Sequence, residues 1–235
     1  MSSEVFRFKQ FEVCHAHCAM KVGTDGVLLG AWAQCDGSRI LDVGTGSGLI
    51  ALMLAQRFPE AQIDAIDIDA DAVRQALENF ERSPWRSRLA SKHISLQNLA
   101  AQESQQYDTI VSNPPYFIDS LKNPDQQRQT ARHTDTLSYQ DLLLAAKKLL
   151  TLDGILSLIL PAESEKDILT LAAETGLCPT RLVHVYSKPG KPVKRILLEL
   201  AKRNDLPLRE SHFYVESESS PRSDEYTALT KQFYL

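Results

Sequence analysis

Short apolar runs alternate with longer amphipathic stretches over most of this chain. The apolar runs predict strands near residues 39–43, 62–67, 92–97, 107–112, 154–160, 181–187 and 193–201. The amphipathic stretches predict helices near residues 48–57, 70–82, 138–151 and 163–175. Strands that alternate with helices in this way are typical of an α/β doubly wound fold, in which helices cover both faces of one sheet.

The C-terminal half adds two details to this architecture. The helix near 138–151 has an apolar stripe that we expect to face the sheet, made of Tyr139, Leu142, Leu143, Ala146, Leu149 and Leu150. A short turn at 187–192 separates the last two strands, which predicts an antiparallel pair. Because the chain has 235 residues and 43% apolar content, we expect one domain over 1–235, with residues 1–36 packed on its core.

A glycine-rich turn follows the strand near 39–43. Gly44, Gly46 and Gly48 come after Asp42 in the order Asp-x-Gly-x-Gly-x-Gly. Glycine permits a tight turn and a close approach of the backbone to a ligand. The spacing differs from the dinucleotide motif G-x-G-x-x-G, and the Asp42 carboxylate would repel a pyrophosphate but attract a cation. The sequence therefore predicts either a loop for a cationic ligand or a purely structural turn.

A carboxylate ends the second predicted strand. Asp67 lies 19 residues after Gly48 (67 − 48), and an acid at about this distance can accept hydrogen bonds from ribose hydroxyls. Asp69 and Asp71 precede an amphipathic stretch, where acidic side chains suit the N-terminus of a helix. We therefore predict that Asp67 binds ribose and that Asp69 and Asp71 cap the helix.

The tetrapeptide Asn113-Pro114-Pro115-Tyr116 follows the apolar run at 107–112. The two prolines fix φ and remove two backbone donors. The Asn113 side-chain oxygen and the Pro114 carbonyl could each accept one hydrogen of an exocyclic amino group, and Tyr116 offers a ring for stacking. The motif therefore predicts a site for a planar base with an NH2 group. The alternative is a proline turn that contains a buried asparagine.

The three motifs in this order resemble those of the S-adenosylmethionine-dependent amino methyltransferases. The resemblance implies S-adenosyl-L-methionine as the cofactor and a Rossmann-like class I methyltransferase sheet. In that superfamily the glycine loop holds the methionine end of the cofactor, and the first acid helps to orient its ammonium group. The second acid binds ribose. The Asn-Pro-Pro-Tyr motif, here with Asn113, Pro114 and Tyr116 as catalytic residues, presents the target nitrogen to the sulfonium methyl group.

Further segments resemble bacterial tRNA (adenine-N6)-methyltransferases. They lie at residues 6–11, 18–32, 83–85, 131–134 and 226–230. The resemblance implies a valine tRNA as the partner and the adenine immediately 3′ of the anticodon as the target. Three rivals stay open: a protein glutamine N5-methyltransferase, a DNA adenine methyltransferase and a Rossmann oxidoreductase. The first two usually carry an added substrate-recognition region, and the glycine spacing argues against the third.

Two further parts of the cofactor site each have an alternative interpretation. Many members of the superfamily have an acid after the third strand, which binds the cofactor adenine, but residues 94–99 contain no carboxylate. Gln97 or Asn98 could accept the same hydrogen bond as a neutral amide, or both could be surface residues. Thr24 and Asp25 are predicted either to line the cofactor pocket or to form a turn before a helix.

The formal net charge of the chain at pH 7 is −4, which is not typical of a general nucleic-acid binder. Two local basic clusters nevertheless follow the Asn-Pro-Pro-Tyr motif along the chain. One contains Lys122, Arg128 and Arg132, and the other contains Lys188, Lys191, Lys194 and Arg195. We expect either RNA phosphate contacts or ordinary solvated loops at these positions.

The remaining features mostly exclude other classes of protein. The 4 cysteines form no Cys-x-x-Cys pair, which favours a reduced compartment. Along a strand, Cys14 and Cys18 would point away from His15 and His17, so no metal site is expected there. We find neither an apolar run of membrane-spanning length nor a signal peptide. We therefore expect a cytoplasmic location, no membrane association and no obligate protein partner.

Overall fold

The computed structural model describes residues 5–16, 21–102, 106–114 and 137–234. Its strands are β1 Val5–Arg7, β2 Glu12–Cys14, β3 Arg39–Val43, β4 Gln62–Asp67, β5 Leu89–His93, β6 Tyr107–Ser112, β7 Leu150–Pro161, β8 Cys178–Tyr186, β9 Val193–Ala201 and β10 Arg209–Tyr214. Its α-helices are α1 Thr24–Trp32, α2 Leu49–Arg57, α3 Ala70–Glu81, α4 Leu96–Gln102, α5 Tyr139–Leu149, α6 Glu165–Thr175 and α7 Asp224–Thr230.

Eight strands form one sheet in the order β10-β8-β9-β7-β6-β3-β4-β5. Strand β9 runs antiparallel to both β7 and β8, and the other neighbouring strands of this sheet run parallel. The predicted α/β doubly wound sheet and its C-terminal antiparallel pair, β8 and β9, are therefore confirmed. Strands β1 and β2 form a separate antiparallel hairpin.

The strand order reverses at β3, which lies between β4 and β6. In open parallel sheets, ligands bind outside the carboxyl ends of the strands at such a switch point. The register aligns these ends, because Val43 of β3 pairs with Ile66 of β4 and with Ser112 of β6. The fold therefore brings the three predicted motifs, represented by Gly44, Asp67 and Asn113, to one edge of the sheet.

Apolar clusters cover both faces of the sheet. One contains residues of α1 and α2 such as Leu28 and Met53, together with Phe8 and Phe11 from the N-terminal segment. The other contains residues of α4, α5 and α6, including the predicted stripe of α5. The buried residues of that helix are Leu142, Leu143, Ala145, Ala146 and Leu149, which confirms that the stripe faces the sheet.

One predicted strand was placed wrongly. The run at 92–97 was predicted as the third strand, but β5 ends at His93 and α4 begins at Leu96. The buried residues of α4 are Leu96, Leu99 and Ala100, which have helical spacing over only two turns. Such a short run cannot be distinguished from a strand by periodicity alone. No helix in the described ranges is long and apolar enough to cross a membrane.

Candidate cofactor and substrate site

A cavity of about 950 Å³ opens at the carboxyl ends of the central strands. A cavity of this size suits a ligand as large as a nucleoside derivative. Residues with three different predicted roles meet on its wall: cofactor binding, catalysis and RNA binding. The predicted residues on the wall are Thr24, Asp25, Gly44, Gly46, Asp67, Gln97, Asn98, Asn113, Pro114, Lys194 and Arg195.

The glycine-rich loop forms the floor of the cavity. Gly44 and Gly46 have φ of +70° and +54°, a region that favours glycine, and a Cβ at either position would meet no described protein atom within 4 Å. Their backbone therefore faces the cavity and could contact a ligand closely. The loop is fixed to β4, because the amides of Gly44 and Thr45 both donate to the Ile66 carbonyl, at 2.9 and 3.0 Å.

Gly48 has a different role from the other two glycines. It precedes α2 with φ +81°, and a Cβ there would lie 2.5 Å from the Phe80 ring of α3. Gly48 is not on the cavity wall. The glycine is therefore required for close packing of the loop against α3. Its predicted part in cofactor binding stays a prediction.

Asp67 is held rigidly on the wall by backbone amides. Its Oδ2 accepts from Gly46 N at 2.9 Å, and its Oδ1 accepts from Asp69 N at 3.0 Å. A carboxylate oxygen can accept more than one hydrogen bond, so both oxygens of this half-buried group keep capacity for ligand hydroxyls. Asp69 does cap α3 as predicted, because its side chain accepts from Asp71 N at 2.8 Å.

Asp42 lies beneath the loop and not on the wall. Its side chain is completely buried, and its Oδ2 accepts from the Thr45 hydroxyl at 2.7 Å. Burial raises the pKa of Asp42 to about 7, although the Thr45 hydroxyl and the Ala51 amide at the start of α2 oppose the shift. The sequence predicted direct contact with the cofactor. The structure instead places its carboxyl against the Thr45 hydroxyl of the loop, which suits a positioning role.

The Asn113-Pro114 segment closes the cavity on the β6 side. Asn113 is half-buried, Pro114 is buried, and both lie on the wall directly after β6. The Ser112 hydroxyl donates to the Val43 carbonyl at 2.9 Å, which ties the end of β6 to β3 and so to the glycine loop. Tyr116 lies outside the described residues, so its stacking role stays a prediction.

The first turn of α1 contributes Thr24 and Asp25 to the wall. Both predicted alternatives are therefore partly right, because these residues line the cavity and also begin a helix. Asp25 accepts a hydrogen bond from Arg195 Nε at 2.9 Å, and the two side chains are only 25% and 20% exposed. Arg195 therefore lies on the cavity wall as part of an ion pair, and its predicted RNA contact stays a prediction.

The far end of the cavity is formed by the residues that follow β5, by the first turn of α4 and by Ile68 after Asp67. Gln97 and Asn98 lie exposed in the first turn of α4, and both line the cavity, so either could meet a ligand. The sequence analysis missed three apolar residues there: Ile68, Ile94 and Leu96. Ile68 is 52% exposed, and a large apolar side chain left open beside a carboxylate is the signal that could have identified it.

The basic residues divide between the cavity and its surroundings. Lys194 is exposed and reaches the wall, whereas Lys188 and Lys191 are exposed in the 187–192 turn and do not line the cavity. The other predicted RNA-binding residues, Lys122, Arg128 and Arg132, lie outside the described residues. Cys18 and His17 do so as well, and among the residues that are described no group of three or more His, Cys, Asp or Glu could hold a metal ion.

Comparison with known proteins yields one family. The sequence model of the Methyltransferase small domain family matches residues 8–174. A protein of Parabacteroides distasonis named tRNA1(Val) (adenine(37)-N6)-methyltransferase is 52% identical, over 100% of this chain and 99% of its own length. A protein of Vibrio campbellii with the same name is 43% identical, over 98% of this chain and 95% of its own length.

The solved structures agree on the fold. A predicted O-methyltransferase from Agrobacterium tumefaciens superimposes with a TM-score of 0.72 and covers 89% of this chain and 96% of its own. The two sequences are only 16% identical, so this likeness concerns the fold alone.

Proposed function

Since this chain belongs to the tRNA1(Val) (adenine(37)-N6)-methyltransferase family, we propose that it methylates the N6 amino group of adenine 37 in tRNA1(Val), with S-adenosyl-L-methionine as the methyl donor. The observation that carries the proposal is the meeting of three features at one sheet edge. These are a glycine loop open to the cavity, a fixed carboxylate at Asp67, and two acceptors at Asn113 and Pro114.

The residues of the cavity suit the parts of this cofactor. Gly44 and Gly46 offer backbone to its methionine end without any side chain in the way. Asp67 can accept hydrogen bonds from both ribose hydroxyls, because backbone amides orient its two oxygens. Ile68 and Ile94 provide apolar contact for a flat base, and Gln97 or Asn98 can accept from its amino group.

The methyl transfer needs positioning more than proton chemistry. The cofactor supplies an activated methyl group on a cationic sulfonium, whose carbon–sulfur bond breaks as the nitrogen–carbon bond forms. The amino lone pair of adenine is delocalised into the ring. Two acceptors at Asn113 and Pro114 would favour a pyramidal nitrogen and stabilise the positive charge that develops on it, so these hydrogen bonds are stronger in the transition state than in the bound substrate. The nitrogen loses a proton only afterwards.

The target base must leave its stack in the anticodon loop before it can enter the cavity. Flipping a base costs a few kcal/mol. Stacking on an aromatic ring returns about 1–3 kcal/mol, and Tyr116 is the ring that the sequence offers for this role.

We also propose that residues 1–235 act as one methyltransferase domain in the cytoplasm, where tRNA is modified. The packing of Phe8 and Phe11 into the same cluster as Leu28 and Met53 supports a single unit. On this proposal, residues 1–36 complete the catalytic core by supplying Thr24 and Asp25.

Methylation of defined transcripts would test the function directly. The purified protein should transfer labelled methyl from S-adenosylmethionine to an unmodified tRNA1(Val) transcript, and nuclease mapping should find N6-methyladenosine at position 37 alone. A transcript with guanosine at that position is the matched control and should accept no label. Equal labelling of both transcripts, or no labelling of either, would refute the proposal. Calorimetry should detect binding of S-adenosylmethionine and not of NAD.

A further inference from the structure

Four aromatic side chains form a row on one face of the two outermost strands, β8 and β10. The register pairs His184 with His212 and Tyr186 with Tyr214. The two tyrosine rings are stacked with centroids 5.0 Å apart, and the two histidine rings are stacked at 5.7 Å. Tyr186 also contacts the His212 ring at 5.7 Å. We refer to Tyr186 and Tyr214 as the tyrosine pair.

The tyrosine pair lies on the side of the sheet where the carboxyl ends of the central strands form the cavity. Through β7 and β9, the register aligns Ser112 of β6 with Leu182 of β8. Asn113 and Tyr186 are thus about 14 Å apart across the sheet, and Tyr186 lies about 10 Å further along the strand direction. Strand β8 therefore extends beyond the end of β6, on the carboxyl side of the sheet where the cavity opens.

The row is partly open to solvent. Tyr186 and Tyr214 are both partly exposed, and β10 is the outermost strand of the described sheet on that side. The partly exposed rings combine an apolar body with a polar hydroxyl, so they can contact a ligand as well as each other.

Positive charge accompanies the tyrosine pair. Lys188 and Lys191 lie exposed in the turn that follows Tyr186, and Lys194 on β9 connects this turn to the cavity wall. Acidic residues lie near the pair as well. Glu165 contacts His184 at 2.9 Å, Glu225 Oε2 accepts from the Tyr214 amide at 3.4 Å, and the Glu216 amide donates to the Ser187 carbonyl at 2.8 Å. Proteins that bind unpaired nucleic acid combine aromatic rings with nearby lysines. The bases stack on the rings, and the phosphates contact the lysines.

We propose that the tyrosine pair is a stacking platform for an unpaired base of the anticodon loop next to the flipped target. The inference rests on the proposed function and extends it, because it assigns the RNA contact to named rings outside the catalytic cavity. A platform at this distance would hold the loop open while the target base enters the cavity. It would also favour a loop whose neighbouring bases are unpaired, which is a source of substrate selectivity.

The competing role of the pair is stabilisation of the sheet, since cross-strand aromatic pairs contribute to sheet stability without any ligand. Substitutions that keep apolar bulk but remove the ring separate the two roles. The test variant is Tyr186→Leu with Tyr214→Leu, and the matched control is Tyr186→Phe with Tyr214→Phe. A second variant, Tyr214→Leu alone, alters only the edge strand and serves if the double variant is unstable by circular dichroism.

Two measurements should be made with the full chain. The first is the KM for the tRNA1(Val) transcript at saturating cofactor, together with the cofactor Kd. The second is the fluorescence of anticodon stem–loops that carry 2-aminopurine at each unpaired position in turn, because this base loses fluorescence when it stacks. Wild type and the phenylalanine control should quench at least one position beside the target. The leucine variants should lose this quenching and show KM raised about tenfold, with cofactor Kd unchanged.

The outcomes distinguish failure of the stacking platform from failure of the proposed methyltransferase function. If wild type methylates the transcript and the leucine variants keep both the wild-type KM and the quenching, the platform is refuted and the pair is structural. If wild type fails to methylate tRNA at all, the proposed function fails, and quenching by wild type would then still report a binding surface. Loss of quenching in the phenylalanine control would show that the ring faces are not the contact.

Discussion

Arg195 and Asp25 form an ion pair across the cavity wall, with Nε and Oδ2 2.9 Å apart, although 170 residues separate them in sequence. The pair joins the start of β9 to the first turn of α1. A guanidinium already bound to a carboxylate and mostly shielded from solvent contributes little to a long-range attraction for phosphate. The basic cluster that ends at Arg195 thus contains two kinds of residue, exposed lysines and a wall-forming arginine.

Replacement of Asp67 by asparagine should weaken cofactor binding while the fold is kept. The variant loses a charged acceptor for the ribose hydroxyls, which is worth about 1.5–3 kcal/mol, or roughly 10- to 150-fold in Kd. Calorimetric titration with S-adenosylmethionine measures the change. The matched control is Asp71→Ala, which removes a carboxylate from the first turn of α3 outside the cavity and should leave the cofactor Kd unchanged. An unchanged Kd in a folded Asp67→Asn protein would remove Asp67 from the site.

Replacement of Gly46 by alanine should affect both stability and cofactor binding. Its φ of +54° costs a non-glycine residue about 1 kcal/mol, and the new methyl group would project towards the cavity. Gly190 has φ +76° with no atom within 4 Å of a built Cβ, so Gly190→Ala carries a similar backbone cost away from the cavity. We expect both variants to lose similar stability by urea denaturation, and only Gly46→Ala to lose cofactor affinity. Equal affinity in the two variants would contradict a ligand-facing loop.

The sequence predicted several strands well because β-branched and other apolar residues dominate each and polar or turn residues follow it. Strands β3, β4, β6 and β9 have the predicted limits. It could not predict that Asp42 lies behind the loop or that Arg195 pairs with Asp25, since both depend on contacts between distant elements. Strand β10 was missed because most of its side chains are polar and exposed, so it has no apolar pattern. Helix α4 was misread because seven residues carry too little periodicity to decide their structure.

Replacement of Asp42 by asparagine should change how stability depends on pH. Burial raises the pKa of Asp42 in the folded protein from 3.8 to about 7, so folding opposes ionisation of this group. The wild-type carboxyl therefore contributes most stability below about pH 4, and that contribution is lost as pH rises to about 7. Relative to Asp42→Asn, the unfolding free energy of wild type should fall by about 1.4 kcal/mol for each pH unit between these two pKa values. Parallel stability curves for the two proteins would show that the carboxyl titrates at its ordinary pKa.

Replacement of Asn113 by alanine should reduce turnover far more than cofactor affinity. The bond from the target amino group to Asn113 strengthens as charge develops on nitrogen, so its loss should lower kcat by about 10²–10³. Single-turnover methylation at saturating cofactor and tRNA isolates this effect. Asn98→Ala, at the opposite end of the same cavity, should instead raise the cofactor Kd and leave turnover at saturating cofactor unchanged. If Asn113→Ala loses cofactor affinity but keeps its turnover per bound complex, the assignment of Asn113 is wrong.

The distinction between the exposed lysines and Arg195 leads to a salt-dependence experiment. Changing Lys188, Lys191 and Lys194 together to glutamine should weaken tRNA binding and flatten the plot of log affinity against log salt. Each lost phosphate contact lowers the slope by somewhat under one unit, so the triple variant should lose about two units. Arg195→Gln should leave the slope near that of wild type and should instead weaken cofactor binding, because it removes the partner of Asp25 on the cavity wall.

A second triple variant controls for the change in net charge. Arg82, Lys148 and Lys231 are exposed and do not line the cavity, so their replacement by glutamine removes the same charge from other surfaces. This control should keep the wild-type slope, because only cations in contact with phosphates release counterions. If both triple variants flatten the plot equally, tRNA affinity depends on the net charge of the protein and not on the 187–192 turn. If neither does, the phosphate contacts must be sought at Lys122, Arg128 and Arg132.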